Sequence, residues 1–362
     1  MTDLLLLERP EELTPEVLTE VLRRAGRLRA DQVVTQVEAR SIGTGQMGDT
    51  SRFSYHLADG ATGTVVGKFA SADPGSRAVG LALRAYEIEV SFYRDLASRV
   101  QMRVPGCLHA VVDPTTGTFT LLLDDAGDAV QGDQLEGCSV DAARTCLTEL
   151  AGLHGPTLND RAVAALGWLN RSTPEGEATT AALVGSLLPG FCERYRSDLT
   201  ADQVAIITEV IEQMPARVGR RSPLHAATHG DFRLDNLLFA PGGGAPVVVD
   251  FQTMAWAHPA LDVAYFIAGS LPAEARRANE AQLLSHYLDQ LDRYLDQPLD
   301  RPAFLAAYAD EAVHGIIMAV GASMLVARTE RGDQMFLTSA RRHADHLRDL
   351  RDAPNHLEGF HG

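Results

Sequence analysis

The amino-acid sequence predicts an α+β fold with two lobes, a β-rich N-terminal lobe and a larger, mainly helical C-terminal lobe. Runs rich in β-branched or alternating residues are concentrated before residue 124. From residue 140 onward, apolar residues recur at helical spacing instead. The length of 362 residues exceeds that of one average domain, which fits one large two-lobed unit or two domains.

The first lobe is predicted to contain a mainly antiparallel sheet of about five strands and a helix packed on it. The strand candidates are separated by glycines or turn residues and lie at 33–42, 52–57, 64–69, 107–112 and 118–123. The clearest helix is 81–96, because its apolar residues recur at three- and four-residue intervals and define one stripe. A further helical pattern covers 13–29, with Thr14 as N-cap and Pro15 at the first helical position.

The second lobe is predicted to be helical over most of its length. Helical spacing is found at 140–154, 162–169, 187–195 and 201–214, and in several segments beyond residue 261. The segment 124–132 loses strand character, and the polar, proline-containing segment 172–180 indicates an exposed loop. We therefore expect an N-terminal lobe at 1–123, a hinge at 124–132 and a C-terminal lobe at 133–362.

Composition and charge narrow the class of protein. The 32 basic and 48 acidic residues give a formal net charge of −16, which argues against nucleic acid as a partner, because phosphate backbones require clustered Lys and Arg. The four cysteines have no CxxC spacing for metal or redox chemistry. The apolar run at residues 4–7 is too short to span a membrane and is not flanked like a signal peptide. We therefore expect no membrane association and a cytoplasmic location.

The most informative stretch is 229–236, which reads HGDFRLDN. Asp231 is an acid that can accept the proton of a hydroxyl, and Asn236, five positions later, is an amide that can reach a metal held between phosphates. Asp250 lies fourteen positions after Asn236, at the end of an apolar run. Phosphoryl transfer from ATP to an alcohol requires this set of groups. Arg233, two positions beyond Asp231, is placed to face the transferred phosphate.

Asn236 and Asp250 are expected to share one metal ion. The runs 236–240 and 245–250 would pair as a hairpin around Pro241 and the glycines after it, which brings the two side chains together. An Asp and an Asn suffice for Mg²⁺, which keeps the rest of its shell for phosphates and water. The competing interpretation is a simple turn, which Asp and Asn often form, but a turn does not need the whole set.

Three polar residues near this set are predicted to be structural. His229 is expected to anchor the loop, and Asp235 is expected to have a structural role. Asp262 lies at the start of an apolar helical run, where an N-cap or a brace for the catalytic loop is expected rather than direct chemistry.

Lys68 is a lysine at the edge of an apolar strand, and such a lysine can neutralise nucleotide phosphates. Alone it would more often be a solvated strand end, so it needs a carboxylate to orient it. Glu87 and Glu89 both lie on the following helix, and helical phase places Glu89 near the stripe that faces the sheet. We therefore expect Glu89 to pair with Lys68 and Glu87 to face solvent.

A glycine-rich turn lies between the first two predicted strands. Gly43, Gly45 and Gly48 would let backbone N–H groups approach phosphate oxygens, although a plain hairpin loop is the competing interpretation. The turn is not a GxGxxG that opens a helix, and no GxxxxGK(S/T) occurs. Rossmann and P-loop interpretations therefore fail on context.

These motifs resemble the aminoglycoside phosphotransferase and choline kinase superfamily, which shares the protein-kinase-like fold. The resemblance extends over most of the chain. Within the superfamily, four segments resemble the ecdysteroid-kinase-like branch, also called CHK kinase-like: DFQ at 250–252, EVSFY at 89–93, LLLDDAGD at 121–128 and PALDVAYF at 259–266. The segment GTGQMGDTSR at 43–52 resembles the nucleotide loop of bacterial members.

The resemblance implies a two-lobed kinase fold that uses ATP and Mg²⁺. It implies a Lys68–Glu89 pair and Asp231 as the catalytic base. Asn236 and Asp250 would hold the metal, and the segment from Leu123 to Asp125 would hydrogen-bond adenine through its backbone. Two departures from protein kinases, Gln252 in place of the DFG glycine and HGD in place of HRD, favour a small-molecule kinase and remove no catalytic group.

The leading hypothesis is therefore an ATP- and Mg²⁺-dependent phosphotransferase acting on a hydroxyl of a small molecule. The acidic net charge weakly favours a cationic acceptor such as an aminoglycoside, whereas the DFQ branch favours a more apolar alcohol. A hypothesis of another class is an ATP-binding pseudokinase that scaffolds a partner. A protein kinase is disfavoured, because nothing resembling an activation segment with an APE-like end follows Asp250.

Overall fold

The computed structural model describes residues 5–42 and 48–352. Contacts between Cα atoms divide the chain into two compact units. The first comprises Met1–Arg99, Val104–Ala129 and Val249–Met254, and the second comprises Val100–Arg103, Val130–Val248 and Ala255–Gly362. Each predicted lobe was a continuous stretch of sequence. The first unit of the structure is not continuous, because it also contains the DFQ segment at 250–252. Asn236 and Asp250 thus belong to different units, and their meeting at one metal ion remains a prediction.

The first unit contains the predicted antiparallel sheet. The chain first forms helix α1 (Pro15–Arg24) and then the strands β1 (Val34–Ser41), β2 (Gly48–Leu57), β3 (Thr62–Ala70), β4 (Cys107–Val112) and β5 (Phe119–Asp124). The strand order is β1-β2-β3-β5-β4, and every neighbouring pair is antiparallel. The predicted α+β class is confirmed, with the sheet in this unit and helices dominating the other.

Helix α1 begins where the sequence predicted and packs its apolar face on the sheet. The Thr14 side chain accepts a hydrogen bond from the Val17 N–H, which satisfies one of the free donors at the helix start. Leu18 lies in one buried cluster with Phe53 and Phe69 of the sheet. The helix ends at Arg24, five residues before the predicted end.

The predicted single helix over 81–96 is wrong. The structure has two helices, α2 (Pro74–Ala82) and α3 (Ala85–Ser91), followed by a wider turn of π-helix at Phe92–Leu96. Between α2 and α3, Arg84 has a left-handed φ of 57°, which ends one helix and starts the next. The apolar spacing that suggested one helix continues across this break, so periodicity alone could not reveal it.

The second unit contains short strands and most of the helices. Its described strands are β6 (Val130–Gln131), β7 (Asn170–Arg171), β8 (Ala226–Thr228), β9 (Leu237–Phe239), β10 (Val247–Val248) and β11 (Ala255–Ala257). Its described helices are α4 (Val140–His154), α5 (Arg161–Ala164), α6 (Pro174–Tyr195), α7 (Ala201–Arg217), α8 (Ala260–Ser270), α9 (Ala273–Asp292), α10 (Arg301–Glu311), α11 (His314–Leu325) and α12 (Glu330–Asp352). The predicted hairpin is present, since β9 and β10 pair antiparallel with Val248 opposite Leu237.

Two local predictions in this unit need correction. The segment 124–132 was expected to have no strand, but β6 pairs with β9. The segment 172–180 was expected to be an exposed loop, but Pro174 starts α6, and the Thr173 side chain accepts a hydrogen bond from the Gly176 N–H. Proline at the first position and acidic residues in the first turn are helix-start signals, which the polar composition concealed.

Helix α8 occupies the centre of this unit. It contacts α4, α9, α10, α11 and α12, and nearly all its residues are buried. The stretch Arg301–Leu325 is apolar enough to cross a membrane by length and composition, with a mean hydropathy of 1.4. That stretch is weak evidence for a membrane, because the core helices of soluble proteins have the same composition. Here it forms two helices, α10 and α11.

Replacing Ala178 with proline tests the start of α6. Ala178 is exposed and lies beyond the first turn, so proline would remove a helical hydrogen bond and lower the free energy of unfolding by about 3 kcal/mol. Ala178→Ser keeps the N–H and is the matched control, with an expected loss below about 1 kcal/mol. Urea unfolding measures both variants. Equal stability of Ala178→Pro and the wild type would mean that this segment is a loop after all.

Candidate active site

The segment between β8 and β9 is held by one buried carboxylate on α8. The side chain of Asp262 accepts hydrogen bonds from the backbone N–H groups of His229 and Gly230, at 2.6 and 2.8 Å. The Asp262 carboxylate also lies 3.1 Å from His154 Nε2. Asp262 therefore braces the loop, one of the two structural roles expected for it. It is not the N-cap of α8, which is Pro259.

Asp262 remains ionised although it is fully buried. Burial alone would raise the pKa of its carboxyl, but His154, His229 and the hydrogen bond from the Gly230 N–H outweigh burial and lower it. Hydrogen bonds to an ionised acceptor are stronger than those between neutral groups. The backbone before Asp231 is thus held by charge-assisted bonds.

The carboxylate of Asp231 receives hydrogen bonds on both oxygens. Oδ2 accepts from Arg233 Nε and from Asn236 Nδ2, both at 3.1 Å. Oδ1 accepts from the hydroxyl of Tyr265 at 3.0 Å. Asn236 also donates to the backbone carbonyl of Asp231, at 2.8 Å. The structure therefore brings together the three predicted residues of this loop and adds one, Tyr265, that the sequence argument missed.

The sequence contained part of the information needed to predict the contact between Tyr265 and Asp231. Tyr265 lies in the PALDVAYF segment, three positions after Asp262, and helical spacing puts these two residues on one face of α8. Spacing could predict a shared face. It could not predict that this face meets the loop, because that depends on how the helices of the unit pack.

Arg233 lies between two carboxylates. It pairs with Asp235 as well as with Asp231. Burial opposes its charge, but the charge of Asp231 and the groups near it raise the pKa of Arg233. Asp235 also accepts a hydrogen bond from the Gln134 N–H at 3.1 Å, so it joins the loop to the segment after β6, which is a structural role.

Lys68 and Glu89 form a buried ion pair in the first unit. Lys68 Nζ lies 2.5 Å from Glu89 Oε1 and 3.6 Å from Asp250 Oδ1. Burial opposes the charge of Lys68, but Glu89 and Asp250 outweigh it and raise the pKa of Lys68. Glu87 instead pairs with Arg84, at 2.9 Å. Helical phase thus selected the correct carboxylate although the helix has a break.

The DFQ segment is fixed by packing and by Glu89. The ring of Phe251 stacks on that of Phe92, with centroids 3.7 Å apart. Gln252 Nε2 lies 3.5 Å from Glu89 Oε2, the long end of the hydrogen-bonding range. Asp250 itself has a left-handed φ of 70°, which is uncommon for a residue other than glycine and is often found at functional sites.

The remaining predicted nucleotide-binding residues lie at the sheet or outside the described ranges. Leu123 is in β5, opposite Val66 of β3. Asp125 accepts a hydrogen bond from Arg52 at 2.9 Å, so its side chain is engaged within the first unit. Gly48 is the first residue of β2, whereas Gly43 and Gly45 lie outside the described residues.

The proposed metal ligands have suitable oxygen atoms. Oδ1 of Asp250 is buried and has no hydrogen-bond partner among the described residues, since Lys68 Nζ at 3.6 Å lies beyond hydrogen-bonding range. The atom can therefore still serve as a ligand to a metal ion. The amide nitrogen of Asn236 is turned toward Asp231, which leaves its oxygen for a metal. In the described part of the chain, no group of three or more His, Cys, Asp or Glu residues could hold an ion. Mg²⁺ needs fewer protein ligands than that, because phosphates and water complete its shell.

The sheet with its buried Lys–Glu pair, together with the helical unit and its HGD loop, defines the protein-kinase-like fold. The profile of the Ecdysteroid kinase-like family matches residues 60–298. The chain therefore belongs to the ecdysteroid kinase-like family and is, by class, a small-molecule kinase. No curated protein matches the chain by sequence.

Solved structures with the same fold cover nearly the whole chain. Choline kinase from Cryptosporidium parvum has a TM-score of 0.56 at 10% identity, covering 94% of this chain and 97% of that one. Plasmodium vivax ethanolamine kinase has a TM-score of 0.52 at 14% identity, covering 88% and 85%. The GDP complex of aminoglycoside 2′-phosphotransferase-IIIa has a TM-score of 0.50 at 13% identity, covering 90% and 97%. At these identities the likeness shows the fold alone.

The start of α8 should be sensitive to acid through His258. Burial lowers the pKa of His258 to about 4, and its Nδ1 accepts a hydrogen bond from the Ala260 N–H at 3.0 Å. Because an unfolded histidine has a pKa of about 6.5, this stabilisation is present above pH 6.5 and is lost as the pH falls toward 4. We expect the free energy of unfolding to fall by about 2 kcal/mol between pH 7.5 and 5 from this residue.

The matched variant is His258→Asn, whose amide oxygen can accept the same hydrogen bond without titrating in this range. Urea unfolding at pH 7.5 and pH 5 should show a smaller loss of stability for His258→Asn than for the wild type. Other buried histidines contribute equally to both proteins. The same loss in both would contradict the assignment to His258.

Proposed function

We propose that this protein is an ATP- and Mg²⁺-dependent phosphotransferase that moves the γ-phosphate of ATP to a hydroxyl of a small molecule. The observation that carries the proposal is the carboxylate of Asp231, part-buried and fixed by hydrogen bonds to both oxygens. A carboxylate held in this way has one orientation from which to accept a proton. Membership of a kinase-like family supports the same reaction.

In the proposed reaction Asp231 is the catalytic base. The acceptor hydroxyl gives its proton to Asp231 as its oxygen forms a bond to the γ-phosphorus, and the bond from that phosphorus to the bridging oxygen of ADP breaks. The products are ADP, the phosphorylated acceptor and one proton. Phosphoryl transfer depends mainly on positioning and charge stabilisation, which is why a rigid base matters more than a strong one.

Arg233 contributes positive charge beside the base. Its guanidinium is held by Asp231 and Asp235, so it is oriented before any substrate binds. A guanidinium offers five N–H donors. Nε donates to Asp231, and Nη1 donates to Asp235 and Met335, so among the described contacts the two N–H groups of Nη2 remain for phosphate oxygens. We propose that Arg233 stabilises the phosphoryl group during transfer.

The nucleotide is assigned to the residues of the first unit. Lys68, kept charged and oriented by Glu89, binds phosphate oxygens of ATP, and the backbone from Leu123 to Asp125 binds adenine. The turn with Gly43, Gly45 and Gly48, whose first two glycines lie outside the described residues, is the proposed contact for the phosphates. In this proposal Asp250 and Asn236 would each supply an oxygen ligand to Mg²⁺, which would neutralise phosphate charge.

Two classes of small molecule are candidates for the acceptor of the phosphate. The net charge of −16 favours a cationic acceptor such as an aminoglycoside, by raising the local concentration of cations. Family membership favours a more apolar alcohol. An ATP-binding pseudokinase is the alternative from another class, and nothing in the catalytic set favours it.

The proposal predicts transfer of labelled phosphate from ATP to one or more members of a library of hydroxylated metabolites, including aminoglycosides and steroid alcohols. Asp231→Asn should lower kcat by about 100-fold or more, because the amide cannot accept the proton, while the Kd for ATP changes little. Asp292→Asn is the control, since it alters a part-buried carboxylate of α9 that pairs with Arg301, at 3.2 Å, and has no proposed contact with ATP or the acceptor. Equal kcat for Asp231→Asn and the wild type would contradict the proposal.

Removing the proposed metal ligand Asp250 tests whether ATP binding depends on Mg²⁺ through this residue. Asp250→Ala should abolish the Mg²⁺-dependent part of ATP binding, measured by isothermal titration with and without EDTA, because it removes the proposed carboxylate ligand of the metal. Asp95→Ala, which removes a carboxylate of the same unit that pairs with Arg94 at 2.9 Å, should retain that dependence. If ATP binding by Asp250→Ala depends on Mg²⁺ as strongly as binding by the wild type does, Asp250 is not a ligand of the metal.

A further inference from the structure

Tyr265 provides the third hydrogen bond to Asp231 and comes from a different element than the other two donors. Arg233 and Asn236 belong to the loop itself, whereas Tyr265 belongs to α8. The same face of α8 carries Asp262, whose carboxylate binds the loop backbone. One helix face thus holds both the backbone that precedes Asp231 and the carboxylate of Asp231.

The distribution of donors distinguishes the two carboxylate oxygens. Oδ2 receives two hydrogen bonds, from Arg233 and Asn236, whereas Oδ1 receives one, from Tyr265. A carboxylate oxygen has two lone-pair sites. Within the described contacts, Oδ1 therefore keeps a site for an incoming hydroxyl, and the Tyr265 bond determines where that site points.

The ring of Tyr265 is itself held in place. His343 stacks on it, with centroids 5.3 Å apart and planes 10° from parallel, and His314 meets it edge-on at 5.3 Å. His314 Nε2 lies 3.0 Å from the carbonyl oxygen of Gly230, so this histidine joins the ring to the loop. Gly315 makes room for His343, because a Cβ there would lie 2.2 Å from the imidazole.

The hydroxyl of Tyr265 keeps its proton. Burial, followed by the negative charge of Asp231, raises the pKa of Tyr265 well above its ordinary value. Burial also lowers the pKa of His343 well below its ordinary value, so the stacked ring is neutral at pH 7. Tyr265 is therefore a donor to Asp231 and not an acid or a nucleophile.

We propose that Tyr265 is a positioning residue that acts through Asp231, orienting the carboxylate so that Oδ1 faces the acceptor hydroxyl. This inference rests on the proposed function, since it gives Tyr265 a role only if Asp231 is the base. Tyr265 makes no bond to ATP in this scheme. Its loss should therefore affect turnover and leave nucleotide binding unchanged.

Tyr265→Phe removes the hydroxyl and keeps the ring between the two histidines. We expect kcat to fall about 10- to 100-fold, the size of one hydrogen bond to a charged group, with the KM for ATP within about twofold of wild type. Turnover is measured as phosphate release with water as the acceptor, and again with the acceptor that the metabolite library returns.

Tyr308→Phe is the matched control. Tyr308 is also a buried tyrosine of the second unit, and its hydroxyl donates to the carboxylate of Glu280 at 2.7 Å, away from the catalytic loop. Both variants lose one buried hydroxyl, so both should lower the melting temperature by a few degrees. Only Tyr265→Phe should lower kcat when both are assayed below their melting temperatures.

The outcomes separate this inference from the proposed function. If Asp231→Asn is inactive and Tyr265→Phe keeps kcat within twofold of wild type, Tyr265 does not position the base, and the proposed function stands. An equal loss of kcat in Tyr265→Phe and Tyr308→Phe would indicate a general effect on the fold and also overturn the inference. If Asp231→Asn is fully active, the proposed function fails and this inference fails with it.

Discussion

Two backbone N–H groups, those of His229 and Gly230, donate to the buried carboxylate of Asp262, and the loop that carries Asp231 depends on this contact. A peptide N–H without a partner in a dry interior costs about 1–3 kcal/mol, and a buried carboxylate without partners costs more. The two N–H groups and the carboxylate therefore stabilise one another in the buried interior. Because Asp262 lies on the central helix α8, the position of the loop is determined by the packing of the whole helical unit.

Each unit stabilises its buried charged groups in the same way, by pairing them with partners that are also buried. In the first, Lys68 and Glu89 are buried as a pair, and the pKa of Lys68 is raised in spite of burial. In the second, Asp262 is buried with His154 and two N–H donors. Breaking such a set by removing one partner leaves an uncompensated charge, which costs about 3–5 kcal/mol. This makes the polar groups rigid, and rigidity is what phosphoryl transfer demands of them.

Contacts between the predicted site residues were easier to predict from the sequence than local backbone geometry. The spacing of Asp231 and Asn236 and the helical phase of Glu89 depend on short stretches, and the structure brings the expected partners together within each unit. The break at Arg84 escaped prediction because the apolar stripe continues across it. Tyr265 escaped because its contact with Asp231 joins residues 34 apart in sequence, and no local pattern encodes that meeting.

Hydrogen exchange at the amides of His229 and Gly230 tests most directly whether Asp262 holds the loop. NMR should show both amides protected to the same degree as those of α8 in the wild type, and exchanging much faster in Asp262→Asn, while amides in the paired strands β2 and β3 keep their protection. If both amides exchange in the wild type as fast as those of an exposed loop, Asp262 does not hold the loop and Asp231 is not fixed in the way described.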